Sequence, residues 1–339
     1  MEEKKLNTVD LRGRSFLKIS DFTEEEIRYL LDMAKDFKDK KHRKEKHQYL
    51  KGRNIVLIFE KTSTRTRCAF EVAAFDLGMN STYLDSSSSQ LGKKESIADT
   101  ARVLGRMYHG IEFRGFAQSS AEDLAKYSGV PVWNGLTDSF HPTQVLADFM
   151  TMEEKFGHLK GLKLVFLGDT RNNVANSLMI MSAKMGVNFT ACGPKELWTD
   201  ENVVKLSKEI AAKNGCTITQ TEDINEGVTN ADAIYTDVWV SMGEPEEIWE
   251  SRIKLLKKYQ VNKEVMSLAN SKAIFLHALP SFHDQNTSIG VDINKKFGIE
   301  EMEVSNEVFE SKQSVVFDEA ENRMHTIKAV IYATLKEWE

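Results

Sequence analysis

The chain has 339 residues, of which 41% are hydrophobic and 28% charged, with only 5 prolines. At about 150 residues per domain that length suggests two domains, and the composition excludes a disordered chain. A formal net charge of −6 argues against general nucleic-acid binding. The longest apolar runs, "IVLIF" (55–59) and "LVFL" (164–167), are far too short to span a bilayer.

The opening "MEEKKLNTVD" has no apolar core, so no secretory signal is expected. Cys68, Cys192 and Cys216 show neither CxxC spacing nor an even number. That usage suits a reducing cytoplasm and speaks against a zinc site. The basic run "KDKKHRKEKHQ" (38–48) could face an anionic partner. Asp39 and Glu45 interrupt it, which favours a solvated helix end.

"NIVLIF" (54–59) reads as a buried strand, and "TRTRCAFEVAAFDLG" (64–78) as a helix capped by Ser63 and closed by Gly78. Its first turn combines free N–H groups, the positive end of the helix dipole, the hydroxyls of Ser63, Thr64 and Thr66, and the guanidinium groups of Arg65 and Arg67. Those groups suit a phosphate. The plainer alternative is a well-capped helix with two surface arginines. No GxxxxGK[ST] loop is present.

"SSSSQLGKKES" (86–96) is a long polar loop, either a surface segment or a lid presenting Gln90 and Lys93 to an anion. "EFRGFAQ" (112–118) puts Arg114 at a strand end, and "NGLTDSFHPTQ" (134–144) puts His141 and Gln144 at a helix start. Together they could polarise a carbonyl where α/β sheets bind ligands. The helix after Pro142 should stop before Gly157, with a fresh strand from Leu162. The expected division is therefore 1–150, joined by the last helix 322–339, and 151–321.

"LGDTRNN" (167–173) resembles the phosphate turn of a dinucleotide fold, but the absence of GxGxxG speaks against NAD. "YTDVWVSMGE" (235–244) sets Asp237 just past a strand, with Ser241 and Met242 in the following loop. "HALPSFHD" (277–284) crowds His277, Pro280, His283 and Asp284 into one turn, with the inert Ala278 in its middle. "SVVFD" (314–318) is strand-like, and "FDEAENRMHT" (317–326) carries Arg323 at a helix start. Short apolar strands alternating with helices indicate an α/β fold: two doubly wound domains, each with a mainly parallel sheet flanked by helices.

"STRTR", "HPTQ", "DVWVSMGE", the H-x-LP turn and "ENR" occur in that order over nearly the whole chain. Together they resemble the aspartate/ornithine transcarbamylase family. "DVWVSMGE" is similar to the ornithine carbamoyltransferase branch rather than the aspartate branch. "KKESIADTARVLGRMY" and "AENRMHTIKAVIYATL" strengthen the match.

The resemblance implies an N-terminal carbamoyl-phosphate domain, a C-terminal amino-acid domain and a final helix returning to the first. It also implies a homotrimer, or an assembly of trimers, with sites shared between neighbours and no metal or organic cofactor. Ser63, Thr64, Arg65 and Thr66 would hold the phosphate, with Gln90 reaching in from the adjacent subunit. Arg114, His141 and Gln144 would address the carbonyl oxygen, Leu279 would offer its backbone carbonyl to the carbamoyl amide, and Arg323 would complete the contacts. Asn173, Asp237, Ser241 and Met242 would hold L-ornithine. The implied reaction joins carbamoyl phosphate and L-ornithine to give L-citrulline and phosphate. It would serve arginine metabolism in either direction, the reverse being arginine breakdown by the arginine deiminase pathway.

The family turn reads His-Cys-Leu-Pro, and Ala278 stands at the cysteine. An alkylamine has a pKa of about 10, so little of it is neutral near pH 7. A thiolate beside it could take a proton; a methyl group cannot. Loss of a general base would slow turnover by roughly 10²–10⁴-fold, and loss of an orienting contact by less. Ala278 could be tolerated in an active enzyme, mark a ligand-binding or assembly relative with poor turnover, or be a deliberate substitution. Another acceptor such as putrescine is a further alternative, against which Ser241 and Met242 count.

Overall fold

A computed structural model describes residues 9–85, 94–240, 244 and 246–335. The chain divides into two compact units: Met1–Asp138 with Arg323–Glu339, and Ser139–Asn322.

The first unit holds helices α1 (Glu24–His42), α2 (Thr64–Asp76), α3 (Ile97–Met107) and α4 (Gln118–Ser128). Its strands β1 (Asn54–Phe59), β2 (Asn80–Asp85), β3 (Gly110–Arg114) and β4 (Val132–Leu136) form a parallel sheet in the order β2-β1-β3-β4. Central β1 is buried along Ile55–Phe59, whereas edge strand β2 starts exposed. A strand covered on both faces needs a continuous apolar run, and "IVLIF" supplies it. Alternation sorts the two faces. Val56, Ile58, Ile111 and Phe113 pack with Ala101 and Leu104 of α3 and Ala121 and Leu124 of α4. Leu57, Glu112 and Trp133 share the other face by register.

The second unit holds α5 (Pro142–Phe156), α6 (Asn173–Met185), α7 (Glu201–Asn214), α8 (Ile224–Val228), α9 (Trp249–Leu256), α10 (Lys263–Leu268), α11 (Ser288–Phe297) and α12 (Asn306–Phe309). Strands β5 (Lys163–Leu167), β6 (Asn188–Cys192), β7 (Ile218–Thr221), β8 (Ala233–Thr236) and β9 (Ile274–His277) form a parallel sheet ordered β7-β6-β5-β8-β9. Val165, Leu167, Ile234 and Phe275 project into a core shared with Ile253, Leu256, Val265 and Met266. On the opposite face Phe166 stacks on Tyr235, with ring centroids 5.8 Å apart.

Helix α5 starts with Pro142 at its first position and ends at Gly157 in the left-handed region, as the sequence predicts. The strand expected at 314–318 is replaced by a short pairing and then a helix. Phe275 N–H donates to the Gln313 carbonyl and Val315 N–H to the Phe275 carbonyl, after which α13 (Val316–Leu335) begins. Two β-branched residues suggested a strand, but their partners run out after this bridge. Arg323 therefore lies about two turns inside α13 rather than at its start. The boundary between Asn322 and Arg323 falls within this helix. Among the described residues no helix is long and apolar enough to cross a membrane.

Candidate active site

Ligands of open α/β sheets collect beyond the strand C-termini where the strand order reverses. In the first unit that point lies between β1 and β3, where Phe59 pairs with Arg114. The chain leaving β1 turns into α2. Ser63 is extended, at φ −164°, and its hydroxyl accepts the Thr66 N–H at 3.2 Å. This cap aims Thr66 inward, where it is fully buried. The Thr66 Oγ1 accepts from Arg323 Nη2 at 3.0 Å and lies 3.5 Å from Arg114 Nη1. Four predicted residues, Ser63, Thr66, Arg114 and Arg323, thus meet at one helix N-terminus. Exposed Thr64 and half-buried Arg65 share its first turn. Gln90 lies outside the described residues.

Glu112 was missed by the sequence reasoning. It shares a strand face with Arg114 and is fully buried, and neither carboxyl oxygen has a hydrogen-bond partner among the described residues. Burial pushes its pKa well up, against the opposing pull of Arg114 and Arg323. Its neighbour must be Gly135, because a Cβ there would stand 2.0 Å from Glu112 Oε1. The available signal was an acid at a central position of a buried strand.

In the second unit the order reverses between β5 and β8, where Leu167 pairs with Thr236. Asp237 follows directly. Its Oδ2 accepts Asn172 Nδ2 at 2.9 Å and its Oδ1 accepts the Val238 N–H at 2.9 Å. Burial raises its pKa, while His277 and the Asn172 hydrogen bond pull the other way. Asn172 also caps α6, accepting the Val174 N–H. Asn172, a residue the sequence reasoning did not single out, is thus a hydrogen-bond partner of Asp237. Asn173 opens α6 and is half-buried. Ser241 and Met242 lie outside the described residues.

His141 caps α5 in a non-helical conformation and gives its backbone N–H to Ser177 Oγ at 2.9 Å. One turn on, Gln144 Nε2 donates to Asp148 Oδ1 at 2.9 Å and to Glu319 Oε1 at 2.7 Å. Two carboxyl groups select the amide's NH2 end, so the orientation follows from the network. The atom left over is Oε1, buried and without a partner among the described residues. Gln144 was expected to address a carbonyl oxygen, which needs a donor. The free atom is an acceptor and suits an N–H instead.

The turn after β9 is pinned from within. His277 Nδ1 accepts the Leu279 N–H at 2.8 Å, which leaves the ring proton on Nε2, 3.3 Å from Glu303 Oε1. Glu303 also accepts the Phe282 N–H at 2.7 Å. Leu279 takes φ +54°, and Ala278 is half-buried. His283 stacks on Phe309 and Asp284 binds Asn286, so both shape the turn.

Residues 14–154 match the family model described as the aspartate/ornithine carbamoyltransferase carbamoyl-P binding domain. Residues 160–334 match that described as the Asp/Orn binding domain. The chain belongs to the aspartate/ornithine carbamoyltransferase family. Within this family, the catabolic ornithine carbamoyltransferase of Treponema denticola is 68% identical over 326 residues, covering 96% of each chain. That of Bacillus licheniformis is 57% identical over 329 residues, covering 97% of this chain and 98% of its own. The solved ornithine carbamoyltransferase of Pyrococcus furiosus superposes with a TM-score of 0.89 at 42% identity, covering 96% and 98%. In carbamoyltransferase terms, the carbamoyl-P model spans Ser63–Thr66, Arg114, His141 and Gln144, while the Asp/Orn model spans Asp237, the 277–280 turn and Arg323.

Proposed function

We propose that this chain transfers the carbamoyl group of carbamoyl phosphate to the δ-amine of L-ornithine, giving L-citrulline and phosphate. The observation that carries the reading is the convergence of Arg114 and Arg323 on Thr66 at the start of α2. Two fixed cations and a helix N-terminus suit a phosphate whose charge grows as it leaves. Identities of 57–68% to enzymes named ornithine carbamoyltransferase favour this over a non-catalytic relative or a putrescine enzyme.

Ser63, Thr64, Arg65 and Thr66 bind the phosphate, with Gln90 supplied by a neighbouring subunit. Arg114, His141 and Arg323 stabilise the oxyanion formed when the amine attacks the carbonyl carbon. Gln144 Oε1 and the Leu279 carbonyl accept the carbamoyl N–H groups. Asp237, with Asn173, Ser241 and Met242, holds ornithine. The attacking amine forms the C–N bond, the C–O bond to phosphate breaks, and the amine's proton passes to Asp237 or the departing phosphate. Ala278 offers no proton acceptor, so turnover runs below that of a cysteine-bearing turn.

The relatives named catabolic favour work in the reverse sense, splitting citrulline with phosphate during arginine breakdown. The chain acts as a homotrimer, alone or in an assembly of trimers. Support comes from Val72 and Phe75, exposed on the helix that carries the phosphate site. Three unpaired cysteines accord with a cytoplasmic location. The test is carbamoyl-phosphate titration calorimetry on an Arg65→Ala variant. Binding should vanish while the circular dichroism spectrum stays unchanged; wild-type affinity would refute the phosphate-site assignment.

A further inference from the structure

Glu319 sits on the first turn of α13, fully buried, and the reaction as described does not use it. Its Oε1 accepts from Gln144 Nε2 at 2.7 Å and from the Tyr235 hydroxyl at 3.0 Å. Its Oε2 accepts the backbone N–H of His277 at 3.0 Å. One side chain therefore joins the start of α5, the end of β8 and the last residue of β9, from which the turn departs. Asp148, one turn along α5 and also fully buried, accepts from the same Gln144 nitrogen.

We propose that Glu319, seconded by Asp148, is a positioning residue for carbamoyl transfer: it holds the Gln144 amide with Oε1 turned to the substrate and ties it to the 277–280 turn. The proposal rests on reading Gln144 as a ligand of the carbamoyl group. A free glutamine amide can turn either end to a ligand, and only one end accepts an N–H. Two carboxyl groups bonded to one nitrogen remove that freedom. Two dry carboxylates this close cannot both stay ionised, and burial with the charge of Asp148 pushes the pKa of Glu319 well up. The pair accordingly retains a proton, which lets two acids share the pocket. A buried acid kept only for folding would have no reason to leave Gln144 Oε1 as the polar atom of that side chain with no partner among the described residues.

Glu319→Gln separates the two roles. A glutamine has one accepting end. Its NH2 must face either Gln144 and Tyr235, which turns the Gln144 amide over, or the His277 N–H, which unpins the turn. The experiment is a double-mutant cycle on kcat for citrulline formation with Glu319→Gln and Gln144→Ala. Each single variant should lose roughly a hundredfold in kcat, the scale of a misplaced contact at the reacting group. The double variant should be no slower than Gln144→Ala alone. Wild-type kcat in Glu319→Gln, or losses that multiply in the double variant, would overturn the positioning role while leaving Gln144 in place. Wild-type kcat in Gln144→Ala would overturn the reading of Gln144 itself and the proposal with it. Should Glu319→Gln fail to fold, the cycle is run with Glu319→Asp. It keeps a carboxyl but, one methylene shorter, cannot span Gln144 and the His277 N–H, and the same results decide.

Discussion

Replacing Thr66 with valine tests the heart of the phosphate site with one atom. The substitution keeps the branched shape and exchanges a hydroxyl for a methyl group. The Ser63 cap on α2 survives, because it uses the Thr66 backbone N–H. What is lost is the Oγ1 acceptor for Arg323 at 3.0 Å and, at the limit of bonding, for Arg114 at 3.5 Å. A hydrogen bond to a charged group contributes about 1.5–3 kcal/mol, and the longer contact adds little. For a unit of this size that corresponds to a midpoint lowered by roughly 3–12 °C. With both guanidinium groups less fixed, the KM for carbamoyl phosphate should rise more than the KM for ornithine. Calorimetric unfolding and initial rates at varied carbamoyl phosphate provide the assay. A variant with an unchanged midpoint and an unchanged carbamoyl-phosphate KM would refute the claim that Thr66 organises the two arginines.

Glu112→Gln should be nearly silent, changing stability by less than about 1 kcal/mol, because burial pushes the pKa of this carboxyl well up, it has no hydrogen-bond partner among the described residues, and the amide copies its shape. A strong loss of carbamoyl-phosphate affinity would show instead that its charge balances Arg114 and Arg323. Glu303 behaves in the opposite sense. Burial works against its ionisation, but His277 and the Phe282 N–H outweigh it and hold its pKa below the usual value. Its contribution to stability is therefore complete above the unfolded value of about 4.3 and is lost as pH falls through the lower folded value. In urea unfolding across that acid range, Glu303→Gln should flatten the pH slope; an unchanged slope would count against the ionised assignment. Lys328 is fully buried, with its Nζ on Asp76 and His47. Asp76→Ala should cost about 3 kcal/mol by stranding that cation, and adding Lys328→Met should restore most of it. Equal stability of the single and double variants would contradict this.

Where sequence and structure agree, the reason is local. "IVLIF" could only be a covered strand, and Ser63 with Gly78 frames α2 through caps that need no tertiary help. The STRTR segment was legible because helix dipole, hydroxyls and arginines occupy consecutive positions. What was not legible depended on groups distant in sequence. Glu319 and Gln144 are 175 residues apart, and their hydrogen bond decides which end of the amide is free. The bond from Asn172 to Asp237 spans 65 residues, and only the α6 cap geometry sets it. The misread strand at 314–318 follows the same logic. Val315 and Val316 have strand propensity, but the pairing goes no further than the bridge at Phe275 and the helix takes over.

The most direct measurement is citrulline formation from carbamoyl phosphate and L-ornithine by this chain beside an Ala278→Cys variant. The account predicts citrulline from both, formed more slowly by the alanine protein, because Asp237 and the leaving phosphate remain as proton acceptors while the turn at 278 has none. Absence of citrulline from both proteins would contradict the assignment of carbamoyl transfer to this fold.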